Sequence, residues 1–361
     1  MNSGAHIEAS APAKLFLLGE YGVLEGGPAL LTGLAQRARV SLNLNTSGVC
    51  VFSAAQLDIH ELPCELAANG LVHAGDTLTQ QKLRLVREVF TRILSACPEV
   101  ANRLSQGFSL DIDTAEFFAQ ENQMKLGLGS SAAVAASLSA ALLCLKEGGA
   151  AKPQAVFQMA QAAHHKVQGG RGSGADIGLS VHGGLLSFCR GNAGAAPEFE
   201  ALVWPDDLEM LAFYSGQSVS TSQVLKRLDA YAKANQETYH GMMHTLKRLA
   251  QDGLEAIRRK ESGAFLNVVN VFQGALNTLA QSATLDAIDV LPQAFKQEIA
   301  DLGGATKISG AGGDVALLFY RDVEAGAALK SCVKKHGFSI VPIERCMEPL
   351  RVKFHSDELK S

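Results

Sequence analysis

The stretch that constrains this chain most is Lys125-Leu126-Gly127-Leu128-Gly129-Ser130-Ser131-Ala132-Ala133, which opens an apolar run over residues 132–145 that predicts a helix. Glycines let a backbone turn tightly and approach a ligand closely. A helix start offers unpaired N–H groups and a partial positive charge, which together favour an anion. Phosphate is the usual anion at such a place, so the pattern predicts a loop that holds the phosphates of a nucleotide.

Residues 125–133 have three alternative interpretations. They could form an ordinary helix start, a Walker A loop or a dinucleotide site. Ser130 or Ser131 could simply cap an ordinary helix, and this alternative stays open. A Walker A loop requires a lysine after its glycines, and none follows here. Gly127 to Ala132 fits G-x-G-x-x-A, but the polar residues 120–123 precede it and no second strand ending in an acid follows. A dinucleotide site requires both strands, so the sequence excludes it.

The composition is that of a soluble globular protein. The chain has 361 residues, 47% of them hydrophobic, and a formal net charge of -4, which predicts two domains with a large core. This balance provides no basic surface for nucleic acid. The longest apolar run, residues 132–145, is shorter than the roughly 20 residues that span a bilayer, and the N-terminus lacks the basic-then-apolar order of a secretory signal. We therefore expect a cytoplasmic protein without nucleic-acid or membrane partners.

The seven cysteines are scattered along the chain, odd in number, and without C-x-x-C spacing. Disulfide and metal frameworks use paired and closely spaced cysteines. We expect reduced thiols packed in a cytosolic interior.

Periodicity along the chain predicts strands and helices in mixed order. Residues 37–44 and 107–113 alternate between apolar and polar side chains, as half-exposed strands do. Residues 78–96 carry apolar side chains at helical spacing. Strands and helices that do not strictly alternate favour an α+β architecture. The Gly-, Ala- and Pro-containing residues 191–205 are typical of a connection, which predicts a domain boundary near residue 195.

Four segments carry residue types that bind charged ligands. They are Pro12-Ala13-Lys14 with Gly19-Glu20-Tyr21, the glycine loop of residues 127–131, Gly172 to Asp176, and Ser309 to Asp314. Their order and spacing resemble the GHMP kinase superfamily, a group of small-molecule kinases, over nearly the whole chain. The resemblance implies an α+β fold of two domains. Residues 1–195 would form an ATP-binding half like domain 2 of ribosomal protein S5, and residues 196–361 a ferredoxin-like half that completes the substrate site.

Within the superfamily, three segments look most like the phosphomevalonate kinase branch. Residues 14–25 are similar to its K-L-x-x-x-G-E-Y-x-x-L-E pattern, with Tyr21 where mevalonate kinases usually carry His. Residues 163–176 resemble its A-H-x-x-x-Q-G-x-x-G-S-G-x-D pattern. Residues 214–221 look like the hydroxyl-rich substrate segment of that branch.

Two positions depart from the family pattern. Mevalonate kinases carry a magnesium-binding Glu eleven positions before their Asp, and the same count back from Asp176 reaches His165. The carboxylate ligand of the metal is therefore left open. The loop of residues 309–314 is one glycine shorter than the usual G-A-G-G-G-D. Adjacent helix residues point about 100° apart, so we expect one of His164 and His165 to be buried and the other exposed.

The resemblance implies transfer of the γ-phosphoryl group of ATP to the 5-phosphate of phosphomevalonate, with ATP and Mg²⁺ as nucleotide and metal. Lys14 would stabilise the charge that builds during transfer, and Asp176 would orient the acceptor or take a proton from it. Ser131 would help to hold Mg²⁺ through its hydroxyl. The implied ATP-binding residues are Leu126, Gly127, Leu128, Gly129, Ser130, Ser131 and Ala132, and the implied substrate-binding residues are Lys14, Glu20, Tyr21, Arg171, Ser173, Gly174, Ser220, Thr221 and Gly312.

Two other functions stay open. Mevalonate or a sugar could be the acceptor within the same superfamily, although Tyr21 and His165 argue against mevalonate. A non-catalytic relative that binds a small metabolite would be expected to lose Lys14, Asp176 or the glycines, and all of these remain. A small-molecule substrate is therefore the partner that the sequence predicts.

Overall fold

The structure is a computed structural model that describes residues 5–67, 70–73, 75–119, 124–191, 195–215, 221–285, 288, 290–313 and 315–355. In chain order its strands are β1 (His6–Leu18), β2 (Pro28–Leu44), β3 (Cys50–Ala54), β4 (Ile59–Ala67), β5 (Gly70–His73), β6 (Phe108–Asp113), β7 (Leu185–Cys189), β8 (Glu198–Leu202), β9 (Glu209–Tyr214), β10 (Ala305–Ile308), β11 (Val315–Tyr320), β12 (Ser339–Val341) and β13 (Arg351–His355). Its helices are α1 (Thr77–Lys82), α2 (Arg84–Ala96), α3 (Pro98–Leu104), α4 (Ser130–Glu147), α5 (Pro153–Val167), α6 (Ala175–His182), α7 (Thr221–Ala234), α8 (Gln236–Arg258), α9 (Ser262–Ala283), α10 (Gln293–Asp301) and α11 (Ala325–Lys335).

β2 organises the first sheet because it is long enough to serve several neighbours. Along one edge it pairs antiparallel with β1. Along the other edge, residues 39–44 pair with β6 and residues 28–32 pair with β7. The sheet has the order β13-β1-β2-β6-β3-β4-β5, with β8 added beyond β7.

The outer edge of β1 is shared between a strand and two loops. β13 pairs only with residues 6–10 of β1. Beyond that pairing, the N–H of Lys14 donates to the carbonyl oxygen of Leu128 over 3.0 Å, and the N–H of Phe16 donates to Ser309 Oγ over 2.9 Å. The glycine loop and the loop after β10 are therefore both attached to the same strand.

α4 crosses the core beside β1. Residues 132–145 of this helix are buried, and its many alanines let it pack closely against β1, α5 and α6. It lies between Gly129 and Gly148, whose φ angles of 84° and 65° are left-handed, a conformation that glycine adopts at low cost. Among the described residues, α4 is the helix long and apolar enough to cross a membrane, but 83% of that stretch is buried inside the fold. It is a core helix.

The second sheet has the order β10-β11-β9-β12 and is antiparallel. The long helices α8 and α9 pack against each other, and α9 also packs against β10. α9 buries Phe265, Val269, Phe272 and Leu276 at the spacing of one helical face. This packing fixes β10 and, with it, the start of the loop that reaches β1.

The α+β prediction is confirmed by these layers of sheet and helix. The predicted strand over residues 107–113 is β6, whereas the predicted helix over residues 78–96 is divided into α1 and α2, which meet at the buried Leu83. β8 and β13 follow residue 195 in the chain and pair with strands of the first sheet. The division at residue 195 stays a prediction. All seven cysteines are free thiols.

A buried ion pair joins the two sheets. Lys307 on β10 donates from Nζ to Glu20 Oε1 over 2.5 Å, and both side chains are almost fully buried. The backbone N–H of Gly310 donates to the same oxygen over 3.1 Å. Burial lowers the pKa of the Lys307 ammonium, and Glu20 opposes this shift. Because a charge in such an interior is costly without its partner, the pair fixes the loop after β10 against the turn after β1.

We expect Lys307→Met to lower the free energy of unfolding by about 3–5 kcal/mol, because it leaves the Glu20 carboxylate buried without its cation. The double variant Lys307→Met/Glu20→Gln removes both charges and is expected to recover a large part of this loss. Urea denaturation followed by circular dichroism measures both variants. A single variant as stable as the wild type, or a double variant less stable than the single one, would contradict this account of the pair.

Candidate active site

Residues from all four predicted segments line one cleft with a volume of 290 Å³. The fourth segment contributes Gly310 and Ala311. The other predicted site residues that line the cleft are Lys14, Glu20, Tyr21, Gly127, Gly129, Ser130, Ser131, Ser173, Asp176 and Thr221. Residues that are distant in the sequence therefore share one surface.

Lys14 lies across the glycine loop. Its side chain passes so close to Gly129 that a Cβ atom on that glycine would be 2.8 Å from Lys14 Cε. The Lys14 ammonium lies 5.1 Å from the centre of the Phe16 ring, a distance suited to a cation–π contact. Only 9% of the lysine is exposed. The absence of a side chain at Gly129 is thus what allows the cation to reach the start of α4.

Three helices bring together a hydroxyl, an imidazole and a carboxylate. Ser131 lies in the first turn of α4, His164 in the last turn of α5 and Asp176 in the first turn of α6. Ser131 Oγ is 3.0 Å from His164 Nε2, and His164 Nδ1 is 3.9 Å from Asp176 Oδ2. His164 is almost fully buried, whereas the Asp176 side chain is partly open to the cleft.

The histidine that faces Asp176 is not the one reached by counting eleven positions back. His165 is half-buried and its Nδ1 lies 3.2 Å from the carbonyl oxygen of Gly172. The expectation that one of the two histidines is buried is confirmed for His164, whereas the expectation that the other is exposed is wrong, because His165 packs against the turn at Gly172. α5 ends at Val167 and α6 begins at Ala175, so the spacing along the chain does not by itself show which of the two histidines faces Asp176.

The loop after β10 is fastened to the turn that follows β1. The Tyr21 hydroxyl donates to the carbonyl oxygen of Ala311 over 2.8 Å. Burial, and secondarily the charge of Glu20, raises the pKa of this phenol. Ser309 Oγ donates to the carbonyl oxygen of Phe16 over 3.0 Å, in addition to accepting the Phe16 N–H. Tyr21 therefore orders the loop with its hydroxyl while its ring lines the cleft.

Several predicted site residues are not among the described residues that line the cleft. Leu126, Leu128 and Ala132 are buried apolar side chains. Arg171 donates from Nε to Asp229 Oδ2 over 2.5 Å in an adjoining groove. Two glycines, Gly174 and Gly312, adopt left-handed backbone conformations without lining the cleft. Ser220 and Asp314 lie outside the described residues.

Sequence reasoning missed some cleft residues. Lys125 adds a second cation to the lining, and Gln168 adds an amide. Both stand inside motifs that were recognised, at the start of the glycine loop and in the Q-G pair after α5. Phe16 and Leu225 give the cleft an apolar side. Their signal was weak, because an apolar residue on a strand or helix is usually part of the core.

The oxygen donors of the cleft fit a magnesium ion. Mg²⁺ prefers oxygen ligands and is commonly held by one or two protein groups together with substrate phosphates. Among the described lining residues, the carboxylates are Glu20 and Asp176. Glu20 is engaged by Lys307 and Gly310, so Asp176 and the Ser131 hydroxyl are the groups suited to a metal.

Sequence comparison relates the chain to known kinases. Residues 85–184 match the family described as GHMP kinases N terminal domain. The chain is 24% identical to the mevalonate kinase of Aeropyrum pernix over 331 residues, which cover 90% of this chain and 92% of that protein. It is 27% identical to the phosphomevalonate kinase of Saccharolobus solfataricus over 180 residues, which cover 50% of this chain and 48% of that protein.

Solved structures share the fold over almost the entire length. The Lin0012 protein from Listeria innocua has a TM-score of 0.80 at 21% identity and covers 97% of this chain and 99% of its own. The Streptococcus pneumoniae phosphomevalonate kinase, solved in complex with phosphomevalonate and AMPPNP, has a TM-score of 0.77 at 20% identity and covers 94% of this chain and 99% of its own. The chain therefore contains a segment that matches the GHMP kinase N-terminal domain, is similar in sequence to kinases of the mevalonate route, and shares its fold with the solved structures.

Proposed function

We propose that this protein is an ATP-dependent small-molecule kinase that transfers the γ-phosphoryl group to the 5-phosphate of phosphomevalonate and so forms the diphosphate. The observation that carries the proposal is that Lys14, Ser131 and Asp176 line one cleft beside the start of α4. Phosphoryl transfer depends on positioning and on neutralising charge more than on covalent chemistry. This cleft offers a cation, a helix start and a carboxylate for those tasks.

We assign the triphosphate to the glycine loop. The first turn of α4 presents N–H groups that the helix leaves available to phosphate oxygens, and the glycines before it allow a close approach. Lys14, held across Gly129, would stabilise the charge that develops on the transferred group. Ser131 would help to hold Mg²⁺, which supplies neutralising charge to the phosphates when bound.

The lining of the cleft supports an acceptor with several negative charges. Phosphomevalonate carries a carboxylate and a phosphate, and Lys14, Lys125, Ser173 and Thr221 offer cations and hydroxyl donors. A phosphate acceptor is already largely ionised near neutral pH, since its second pKa is about 6. Asp176 would then orient the acceptor more than remove a proton from it.

Mevalonate is the second candidate acceptor, and the relative from Aeropyrum pernix favours it because that protein is named mevalonate kinase and spans most of this chain. Two features favour phosphomevalonate. Tyr21 stands where mevalonate kinases usually carry His, and its hydroxyl is engaged by Ala311. His165 stands eleven positions before Asp176, where mevalonate kinases carry a magnesium-binding Glu.

We further propose that residues 1–195 bind ATP, that residues 196–361 complete the substrate site, and that the enzyme works in the cytoplasm on a pathway that consumes mevalonate. Limited proteolysis with and without nucleotide would test the division. Nucleotide alone should protect residues 1–195 from cleavage more than residues 196–361.

A panel of acceptors tests the proposed substrate. With ATP and Mg²⁺, we expect phosphomevalonate to exceed mevalonate in kcat/KM by about 100-fold or more, because a pocket built for a phosphate leaves its cations unpaired when the phosphate is missing. A coupled assay for ADP gives the rates, and ³¹P NMR identifies the diphosphate. Phosphorylation of mevalonate but not of phosphomevalonate would rule out the first candidate and establish the second.

Substitution of the two charged cleft residues tests their roles. We expect Lys14→Met and Asp176→Asn each to lower kcat by about 100- to 1,000-fold, the usual effect of removing a group that stabilises transition-state charge. Asp252→Asn is the control, because Asp252 is an exposed residue of α8 whose partner is Arg248. Wild-type turnover in Asp176→Asn would show that the site is misplaced.

Gly129→Ala tests whether the glycine loop positions Lys14. The new Cβ would meet the lysine side chain, so we expect kcat to fall by about tenfold or more, in addition to a backbone strain of about 1–2 kcal/mol. Gly148→Ala is the matched control. It lies at the other end of α4 with φ 65° and has open space around its Cβ, so it should lose stability and keep kcat. Equal activity losses in the two variants would contradict the proposed role of the loop.

A further inference from the structure

His164 lies between Ser131 and Asp176, and none of the steps described so far uses it. It is 4% exposed. Its Nε2 is 3.0 Å from Ser131 Oγ, and its Nδ1 is 3.9 Å from Asp176 Oδ2. Ser131 belongs to the nucleotide side of the cleft and Asp176 to the acceptor side. The imidazole therefore touches one residue from each side.

The Asp176 carboxylate selects the tautomer of the neutral imidazole. A lone pair on Nδ1 would face a carboxylate oxygen and be repelled, whereas an Nδ1–H group is attracted to it. With the hydrogen on Nδ1, Nε2 can only accept, so Ser131 donates its hydroxyl hydrogen to His164. The lone pairs of Ser131 Oγ are then left for a cation in the cleft.

We propose that His164 is a positioning residue that orients the Ser131 hydroxyl and the Asp176 carboxylate together. A hydrogen bond runs from Ser131 Oγ–H to Nε2, while the Nδ1–H group faces the Asp176 carboxylate and attracts it electrostatically over 3.9 Å. His164 lies on the helix where mevalonate kinases carry a carboxylate for magnesium, and Ser131 on α4 would hold the metal here through lone pairs that its hydrogen leaves open. The proposal deepens the proposed function and rests on it.

Two substitutions of His164 separate its two contacts. A Gln side chain can bring its amide oxygen to the place of Nε2 and accept from Ser131, but it offers no N–H at the place of Nδ1. An Asn side chain can direct an N–H towards Asp176 but is too short to reach Ser131. His164→Ala removes both contacts. A purely structural role would not divide the effects in this way.

Binding of Mn²⁺·ADP without an acceptor reports on the Ser131 contact. Titration followed by electron paramagnetic resonance should show affinity about 10–100-fold weaker in His164→Ala and His164→Asn, the range found when the outer partner of a metal ligand is removed, and within about threefold of wild type in His164→Gln. Ser131→Ala should also weaken binding. Adding His164→Ala to Ser131→Ala should change little further, because the histidine acts through the serine.

Turnover reports on the Asp176 contact. At saturating Mg²⁺·ATP, kcat should fall further in His164→Gln than in His164→Asn, which is the reverse of the order for Mn²⁺·ADP binding. The assay uses whichever acceptor the panel identifies. A failed phosphomevalonate assignment therefore appears in the panel, whereas a failed role for His164 appears in the metal titration, which contains no acceptor.

His182→Gln is the control for general damage. His182 ends α6 and its ring packs 4.4 Å from the ring of Phe199, so the variant should lose stability while its Mn²⁺·ADP affinity and kcat stay at the wild-type level. Wild-type Mn²⁺·ADP affinity in His164→Ala would overturn the proposal. Equal impairment of the Gln and Asn variants in both measurements would also overturn it, and this comparison carries the test if the Ala variant does not fold.

Discussion

Hydrogen bonds along the outer edge of β1 hold together two of the loops that line the cleft. A buried N–H group must find an acceptor, and the outer edge of β1 beyond residue 10 has no strand beside it among the described residues. Leu128 supplies the acceptor for Lys14, and Ser309 supplies it for Phe16. The glycine loop and the loop after β10 are thus attached to the same strand within two residues of each other. The hydrogen bond to Leu128 fixes the backbone of Lys14 beside the glycine loop.

The packing of the two sheets determines which carboxylate in the cleft is available to a ligand. Among the described residues, the carboxylates that line it are Glu20 and Asp176. Lys307 and Gly310 engage one oxygen of Glu20, and its other oxygen is buried without a hydrogen bond to any described residue. This ion pair makes Glu20 part of the framework, and its contact with substrate stays a prediction. Asp176 keeps its partial exposure and remains the negative group that a metal or an acceptor can reach.

The fold class and most of the cleft could be predicted from the sequence, because both depend on patterns of neighbouring residues. Glycines before an apolar helix and a G-S-G-x-D turn are short-range signals, and β6 follows from simple alternation. The ion pair of Glu20 with Lys307 could not be predicted, since the partners are far apart in the chain and meet only when both sheets are packed. The contact of His164 with Ser131 could not be predicted for a related reason. The two residues lie on different helices, and their proximity depends on how α4 and α5 pack against each other.

The pairing of β13 with β1 has a consequence for synthesis on the ribosome. Residues 6–10 of β1 pair with residues 351–355, so almost the whole described chain is made between the two partners. At about 5–20 residues per second, translation of the intervening chain takes on the order of tens of seconds. During that time the nascent chain carries an open strand edge, which is the kind of surface that recruits other unfolded chains. Shielding of this edge by a chaperone would be most valuable before the last strand emerges.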